Sequence, residues 1–149
     1  MQKRADSTLP RVLALAMGAA LSTCLATPGR GQTPAEDPAY VVEVADITAK
    51  VGEPAVLHAT LRVRDGYHVL RTYNNRVMEL SSLDNSVTFD RRVVPGTVQD
   101  GGIDFAIGLR ATKAGRHPIN GYFRVGYIGT DEFAMVSLRL IANVNGTTE

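Results

Sequence analysis

Three histidines, His58, His68 and His117, are the side chains in this sequence best suited to hold a metal ion. A metal site needs several such ligands to converge at about 2 Å from the ion. His58 falls on the polar side of an alternating segment, and the other two stand at the start of different segments. No two of them have the spacing of a ligand pair, so the sequence predicts exposed histidines and no metal or other cofactor.

The acidic residues offer no pair for general acid–base chemistry. Asp131 and Glu132 are adjacent in a short turn, where their carboxylates point apart and stay hydrated. Asp84 and Asp90 are typical charges of a loop and of an outer strand face. The sequence also lacks a nucleophile elbow, a phosphate-binding loop and a zinc-protease helix. We therefore predict that the chain is not an enzyme.

The only cysteine, Cys24, lies in an apolar run from Val12 to Ala26 that follows three basic residues. A basic start, a short apolar middle and small residues behind it are typical of a secretory signal peptide, predicted here over residues 1–26. The run of fifteen residues is shorter than the roughly 20 residues that a membrane-spanning helix needs. It also has no polar face, which argues against an amphipathic helix.

Cys24 leaves two kinds of exported protein open. Cleavage after Ala26 produces a domain without any thiol, whose stability depends on packing alone. The segment Leu21–Cys24 also resembles the lipobox of bacterial lipoproteins, in which the cysteine is acylated and anchors the chain. Thr23 stands where that pattern has Gly, Ala or Ser. The sequence therefore predicts export, to the periplasm or beyond, with lipid attachment at Cys24 as an alternative to a soluble form.

The charge balance bears on two classes of partner, nucleic acid and anionic membranes. The leader holds three of the 16 basic and one of the 15 acidic residues, so the remaining chain has a formal net charge of −1. This balance gives no reason to expect nucleic acid or an anionic membrane surface as a partner. A membrane is expected as a partner only if Cys24 is lipidated.

Composition divides the rest of the chain into three parts. Residues 27–38 are rich in Pro and Gly without an apolar period, which predicts a flexible linker. Residues 39–145 are long enough for one folded domain, and residues 146–149 are expected to form a short tail.

From Ala39 onward, apolar and polar residues alternate with a period of two, which is the period of a β-strand. Glycine, proline and aspartate separate the alternating segments at the places where turns need them. No helical apolar stripe follows the leader. The expected strands are 40–47, 55–64, 67–72, 76–80, 86–94, 102–112, 117–128 and 133–144. Several short strands with one polar face each predict an all-β, Ig-like antiparallel β-sandwich.

Aromatic residues gather near two turns, one of them in the final hairpin from Gly121 to Met135. Such residues either fill the end of a sandwich or form a contact surface for another protein. We predict a contact surface, which consists of Tyr67, His68, Tyr73, Tyr127 and Phe133.

Two segments in this order, VGEPAVLHATLRVRDGYHVL (residues 51–70) and KAGRHPINGYFRVGY (residues 113–127), resemble a known family. They are similar to the periplasmic N-terminal domain of the thiol:disulfide interchange protein DsbD, over about residues 39–144. The resemblance implies an Ig-like sandwich with a redox cysteine pair on its last hairpin, shielded by an aromatic cap loop. It also implies electron transfer from a membrane domain to periplasmic acceptor proteins.

The chain departs from this family at both features. Aligning Gly126 with the glycine before the first family cysteine puts Tyr127 at that cysteine, and the second cysteine falls within a residue of Phe133. The segment that matches the cap, Pro95–Gly102, holds no aromatic residue. Thiol–disulfide exchange requires a thiolate, so the resemblance carries over the scaffold and a docking face without the redox step.

Together, the residues and the resemblance predict an exported, redox-inactive interaction module. Its expected partner is another periplasmic or membrane protein, and the implied setting is thiol–disulfide exchange or cytochrome maturation. The alternative is a periplasmic β-sandwich that binds a metal ion or small ligand, for which His58, His68 or His117 would be needed.

Overall fold

The computed structural model describes residues 35–130 and 132–148. The expected signal peptide, Cys24 and most of the expected linker lie outside these residues. The described part of the chain forms twelve strands and no helix, so it contains no helical segment able to cross a membrane. In chain order the strands are β1 (Ala35–Glu36), β2 (Tyr40–Val44), β3 (Ile47–Lys50), β4 (Pro54–Val63), β5 (His68–Val69), β6 (Arg76–Ser82), β7 (Val87–Phe89), β8 (Val94–Pro95), β9 (Thr97–Gln99), β10 (Gly102–Ala111), β11 (Gly115–Ile128) and β12 (Phe133–Thr147).

Two sheets of these strands pack face to face. The first has the order β1-β2-β4-β10-β7, with β9 also paired to β10. The second has the order β3-β12-β11-β6-β8, with β5 also paired to β11. Neighbouring strands are antiparallel, except that β3 runs parallel to β12. The predicted all-β sandwich is confirmed, with this one parallel pair as a difference.

The core lies between the sheets and follows from the alternation of apolar residues. In β10, Ile103, Phe105, Ile107 and Leu109 are all completely buried. The rings of Phe105 and Phe123 meet across the sheets with their centroids 5.3 Å apart. Burying a side chain of this size contributes about 1.5–3 kcal/mol to stability, so these inward rows hold the sandwich together without a disulfide.

The predicted strand 86–94 is wrong in one respect, because the chain changes sheets inside it. β7 pairs with β10 in the first sheet, whereas β8 pairs with β6 in the second. Asp90 begins the crossing and donates its backbone N–H to the carbonyl of Gly108 at 3.1 Å. Val93 has the same parity as the buried Val87, yet it is 49% exposed. An alternating pattern shows which residues are strand-like but does not show which sheet they join.

A second sheet change divides the predicted strand 40–47 into β2 and β3. Asp46 stabilises this crossing, because its carboxylate accepts hydrogen bonds from the backbone and side-chain N–H groups of Asn143 at 2.8–3.1 Å.

The predicted strand 67–72 is also shorter, with only His68–Val69 paired. At the ends of the domain, β1 begins at Ala35 within the expected linker, and β12 continues to Thr147, beyond residue 145.

Candidate functional site

The tip of the final hairpin is a short turn between β11 and β12. Gly129 donates its backbone N–H to the carbonyl of Glu132 at 2.7 Å. Beyond this bond the register is regular, with Ile128 opposite Phe133 and Tyr127 opposite Ala134. Opposite residues share a face of the sheet, and successive residues alternate between faces. Tyr127 and Phe133 therefore point to opposite faces, and the residue that faces Tyr127 is Ala134.

Tyr127 points toward the first sheet and belongs to a cluster of three tyrosines. Its ring centroid lies 5.6 Å from that of Tyr40 and 5.8 Å from that of Tyr67, the second contact being edge-to-face. Tyr67 and Tyr127 are half-buried, and Tyr40 is buried. Two of the five predicted contact residues thus close the end of the sandwich.

Two phenol groups of this cluster have raised pKa values. Burial raises the pKa of Tyr127 above its ordinary value, with smaller contributions from Asp37 and Tyr67. Burial likewise raises the pKa of Tyr40, again helped by Asp37. Both phenols therefore stay protonated near neutral pH, and neither can act there as a base.

The outer face of the second sheet carries the more exposed groups at this end. His68, Ile128 and Phe133 lie opposite one another across β5, β11 and β12. Phe133 is 65% exposed and Ile128 is 40% exposed. Met135, two residues along β12 from Phe133, is 60% exposed on the same face.

Tyr73 covers the gap that Gly126 leaves on this outer face. A Cβ atom at Gly126 would lie only 3.0–3.1 Å from the Cβ and ring atoms of Tyr73, so a larger residue there would require the ring to move back by a few tenths of an ångström. The buried side chain of Asn75 accepts a hydrogen bond from the Gly126 N–H at 2.8 Å. It also donates to the carbonyl of Leu70 at 3.0 Å, so the loop that carries Tyr73 is fixed to β11.

Four residues therefore form one apolar area, named here the outer patch: Tyr73, Ile128, Phe133 and Met135. His68 lies beside it and is exposed, so three predicted contact residues gather here. Ile128 and Met135 were missed by the sequence reasoning. The alternation could have revealed both residues. Met135 lies on the same face of its strand as Phe133, and Ile128 lies on the same face as Gly126, against which Tyr73 packs.

The segment Pro95–Gly102, predicted to correspond to the cap of the DsbD family, lies beside β5. A cleft of about 300 Å³ separates them, lined by His68, Val69, Arg71 and Val98 together with residues 99–101. Arg71 and Asp100 face each other at 3.6 Å, but both are exposed, so this ion pair contributes little. The ring of Tyr127 packs against those of Tyr40 and Tyr67.

The three histidines are not brought together. His58 is exposed on β4 in the first sheet, and His68 lies near the hairpin tip of the second. Within the described residues, no three His, Cys, Asp or Glu side chains converge as metal ligands would.

His117 was expected to be exposed, and this expectation is wrong. It is only 6% exposed, because β11 begins at Gly115 and places His117 in the inward row with Ile119. Its Nδ1 atom lies 2.6 Å from the carboxylate of Asp84. Asp84, expected to be an ordinary loop charge, is thus the partner of a buried imidazole.

No protein-family model matches this chain, and no curated protein matches it. Among solved structures, the ZirS C-terminal domain is similar over 99% of this chain and 87% of that chain, with 15% identity and a TM-score of 0.41. AggA, the major subunit of aggregative adherence fimbriae type I from Escherichia coli, is similar over 72% and 94%, with 10% identity and a TM-score of 0.38.

The S-layer protein SbsC, in its domains 4 and 5, is similar over 78% of this chain, with 14% identity and a TM-score of 0.39. This chain spans 45% of the length of that structure. These likenesses concern a β-rich fold and say nothing about activity or partners.

Proposed function

We propose that this chain is an exported, redox-inactive interaction module that binds another periplasmic or membrane protein through the outer patch. The observation that carries the proposal is the exposure of neighbouring large apolar side chains on adjacent strands. Phe133 and Met135 are 65% and 60% exposed, and Ile128 beside them is 40% exposed. Single exposed apolar residues are common, whereas a contiguous group marks a contact site.

The residue types and their support also suit protein binding. Aromatic residues and methionine are enriched at the centres of protein interfaces, where they carry much of the binding energy. Tyr73 is held in place by the hydrogen bonds of Asn75, and the other three project from paired strands. A partner would therefore meet a surface that is already ordered, and little conformational entropy is lost on binding.

The proposed redox inactivity is based on the absence of a thiol from the residues of the hairpin. The residues that face each other where the DsbD-like hairpin would carry its cysteines are Tyr127 and Ala134, and neither has sulfur. The only cysteine of the chain is Cys24, in the predicted leader. Without a thiolate this domain cannot exchange disulfides, and the resemblance to DsbD contributes only the setting, thiol–disulfide exchange or cytochrome maturation.

The alternative role, binding a metal ion or small ligand, gains no supporting observation from the described residues. His58 and His68 belong to different sheets, and His117 already uses its Nδ1 atom with Asp84.

Site-specific photocrosslinking in cells tests the proposal. A photoreactive amino acid replaces Phe133 in one strain and Leu83 in another. Leu83 is a matched control because it is also 65% exposed but lies at the far end of β11, where its backbone N–H donates to the carbonyl of Pro118. We expect a discrete crosslinked protein from position 133 and none from position 83.

Mass spectrometry of the crosslinked product then tests the setting. A thiol–disulfide or cytochrome-maturation protein would support it, whereas a partner of another kind would keep the module and reject the setting. No adduct at either position, an adduct only with a second copy of this chain, or the same adducts at both positions would contradict binding of another protein through the outer patch.

A further inference from the structure

Part of β12 lies at an edge of the second sheet. β3 pairs only with Val144–Thr147, and Asn143 just before it is held by the side chain of Asp46. At the other end, Phe133–Ser137 has β11 on one side. On its other side there is no strand among the residues that the structure describes.

The direction of the backbone groups along this edge follows from the register. In an antiparallel pair, residues opposite each other alternate between hydrogen-bonded and non-hydrogen-bonded pairs. The bond from Gly129 to Glu132 makes the next pair, Ile128 and Phe133, non-bonded. The N–H and C=O groups of Phe133, Met135 and Ser137 therefore point away from β11, toward the open edge.

Two independent contacts agree with this alternation. The N–H of Asn143, which has the same parity, donates to Asp46 rather than to β11. On the opposite strand, Gly126 faces Met135 but directs its N–H to Asn75 and its C=O to the Leu70 N–H.

The open edge carries none of the usual protections against another strand. Proteins guard such edges with charged residues, proline or a bulge. The sequence FAMVS of Phe133–Ser137 has no charge and no proline, and its pairing with β11 shows no register shift. This stretch is therefore suited to accept a further strand by backbone hydrogen bonding.

We propose that a second copy of this chain occupies the edge, pairing β12 with β12 in antiparallel orientation about a two-fold axis at Met135. Phe133 of each copy then lies opposite Ser137 of the other, and Met135 lies opposite itself. All three residues with outward-pointing backbone groups are thereby hydrogen-bonded. Only an axis at Met135 pairs these three residues with one another. An axis at Ala134 or Val136 would also bring outward-pointing groups together, but it would pair only two of the three with each other and place the third opposite a residue outside this stretch.

The chemistry of the edge favours a second copy over an unrelated strand. The facing residues are neutral, so self-pairing brings no like charges together. The same register places the acidic turn at Glu132 of one copy near Arg139 of the other, at both ends of the joined strands. An isologous contact needs this kind of self-complementarity.

A proline substitution tests the backbone bonds. Ser137→Pro removes an N–H that points outward and leaves the β11–β12 bonds intact, whereas Ser137→Ala keeps the N–H. Sedimentation equilibrium of the full chain should show a wild-type dimer that Ser137→Ala preserves within about twofold. Ser137→Pro should weaken it about tenfold or more, because two donors are lost per dimer. A monomeric wild type, or a proline variant that dimerises as well as wild type, overturns the proposal.

Cysteine crosslinking tests the register without depending on the proline variant. In a Cys24→Ser background, Met135→Cys should form a disulfide-linked dimer on oxidation. Opposed residues in a bonded pair have Cα atoms about 5.5 Å apart, within the range for a disulfide. Phe133→Cys alone should not crosslink, since its two copies would lie about 13 Å apart. A mixture of Phe133→Cys and Ser137→Cys should crosslink.

Crosslinking of Phe133→Cys to itself, or none from Met135→Cys, contradicts this pairing. A monomeric chain whose Met135 position links only to another protein would assign the edge to a strand of that protein and overturn self-pairing. These readouts concern copies of the chain, so their failure leaves binding of a different protein to the outer patch to be tested by the Phe133 photocrosslink.

Discussion

At the scale of single residues, the contact between His117 and Asp84 is the clearest electrostatic feature of the described chain. The imidazole Nδ1 lies 2.6 Å from the Asp84 carboxylate, and Nε2 lies 2.9 Å from the carbonyl of Lys113. Both ring nitrogens face acceptors, which favours the doubly protonated imidazolium. The hydrogen bond to Asp84 raises the pKa of His117, and the same bond lowers the pKa of Asp84.

These shifts predict how stability depends on pH. A raised histidine pKa stabilises the fold fully below the unfolded value of about 6.5, and this contribution is lost as pH rises through the folded pKa. The lowered pKa of Asp84 stabilises the fold above about pH 3.9 and is lost as pH falls through its folded pKa. Urea unfolding should therefore show a free energy of unfolding that is larger near pH 6 than near pH 8.

Two variants isolate this effect. His117→Gln and Asp84→Asn should each reduce the difference between the two pH values, because each removes the charged pair. His58→Gln should leave the difference unchanged, since His58 is exposed on β4. An equal pH dependence in wild type and His117→Gln would show that this contact does not contribute.

Sequence reasoning succeeded for some of these residues and failed for others for a definite reason. The position of Phe133 beside a turn placed it in the predicted contact surface, and its side chain is 65% exposed. His117 was placed at the first residue of its strand, where exposure is normal, and the true start at Gly115 reversed that expectation. Its contact with Asp84, 33 residues away, depends on tertiary packing that no local pattern contains.

At the scale of the elements, the close approach of Tyr73 to β11 orders the outer patch. It depends on Gly126, where an added Cβ would meet Tyr73 at 3.0–3.1 Å. We expect Gly126→Ala to destabilise the fold by about 1–3 kcal/mol through overpacking. In a Tyr73→Ala background the same change should cost less than about 1 kcal/mol.

Chemical denaturation of the four proteins in this double-mutant cycle gives the coupling energy directly. A coupling near zero would mean that Tyr73 does not rest on Gly126 in solution. Such a result would show that the ring of Tyr73 is not held in the outer patch by packing against β11.

The strands themselves were predictable where the alternation of apolar and polar residues was strict and turns flanked it. The expected segments 55–64 and 102–112 match β4 and β10 within one residue at each end, because strict alternation and flanking turns define them. The segments 40–47 and 86–94 each proved to be parts of two strands in different sheets. A two-residue period is the same in either sheet, so only packing and contacts such as Asp46 with Asn143 reveal the change.

At the scale of the whole molecule, the sandwich presents two different surfaces at one end. Between the sheets, three tyrosines close the core. On the outside, the outer patch remains exposed beside an edge that can accept a strand. In residues 27–149 no cysteine is present, so this part of the chain has no thiol of its own for disulfide exchange.

The affinity for the protein captured at position 133 tests this account most directly. Titration calorimetry would compare wild type with Phe133→Ser and with Leu83→Ser, two substitutions of equally exposed apolar residues. The account predicts that Phe133→Ser weakens binding at least about tenfold, as expected for a central interface residue, while Leu83→Ser changes it less than about twofold. Equal affinity of all three folded proteins would contradict it.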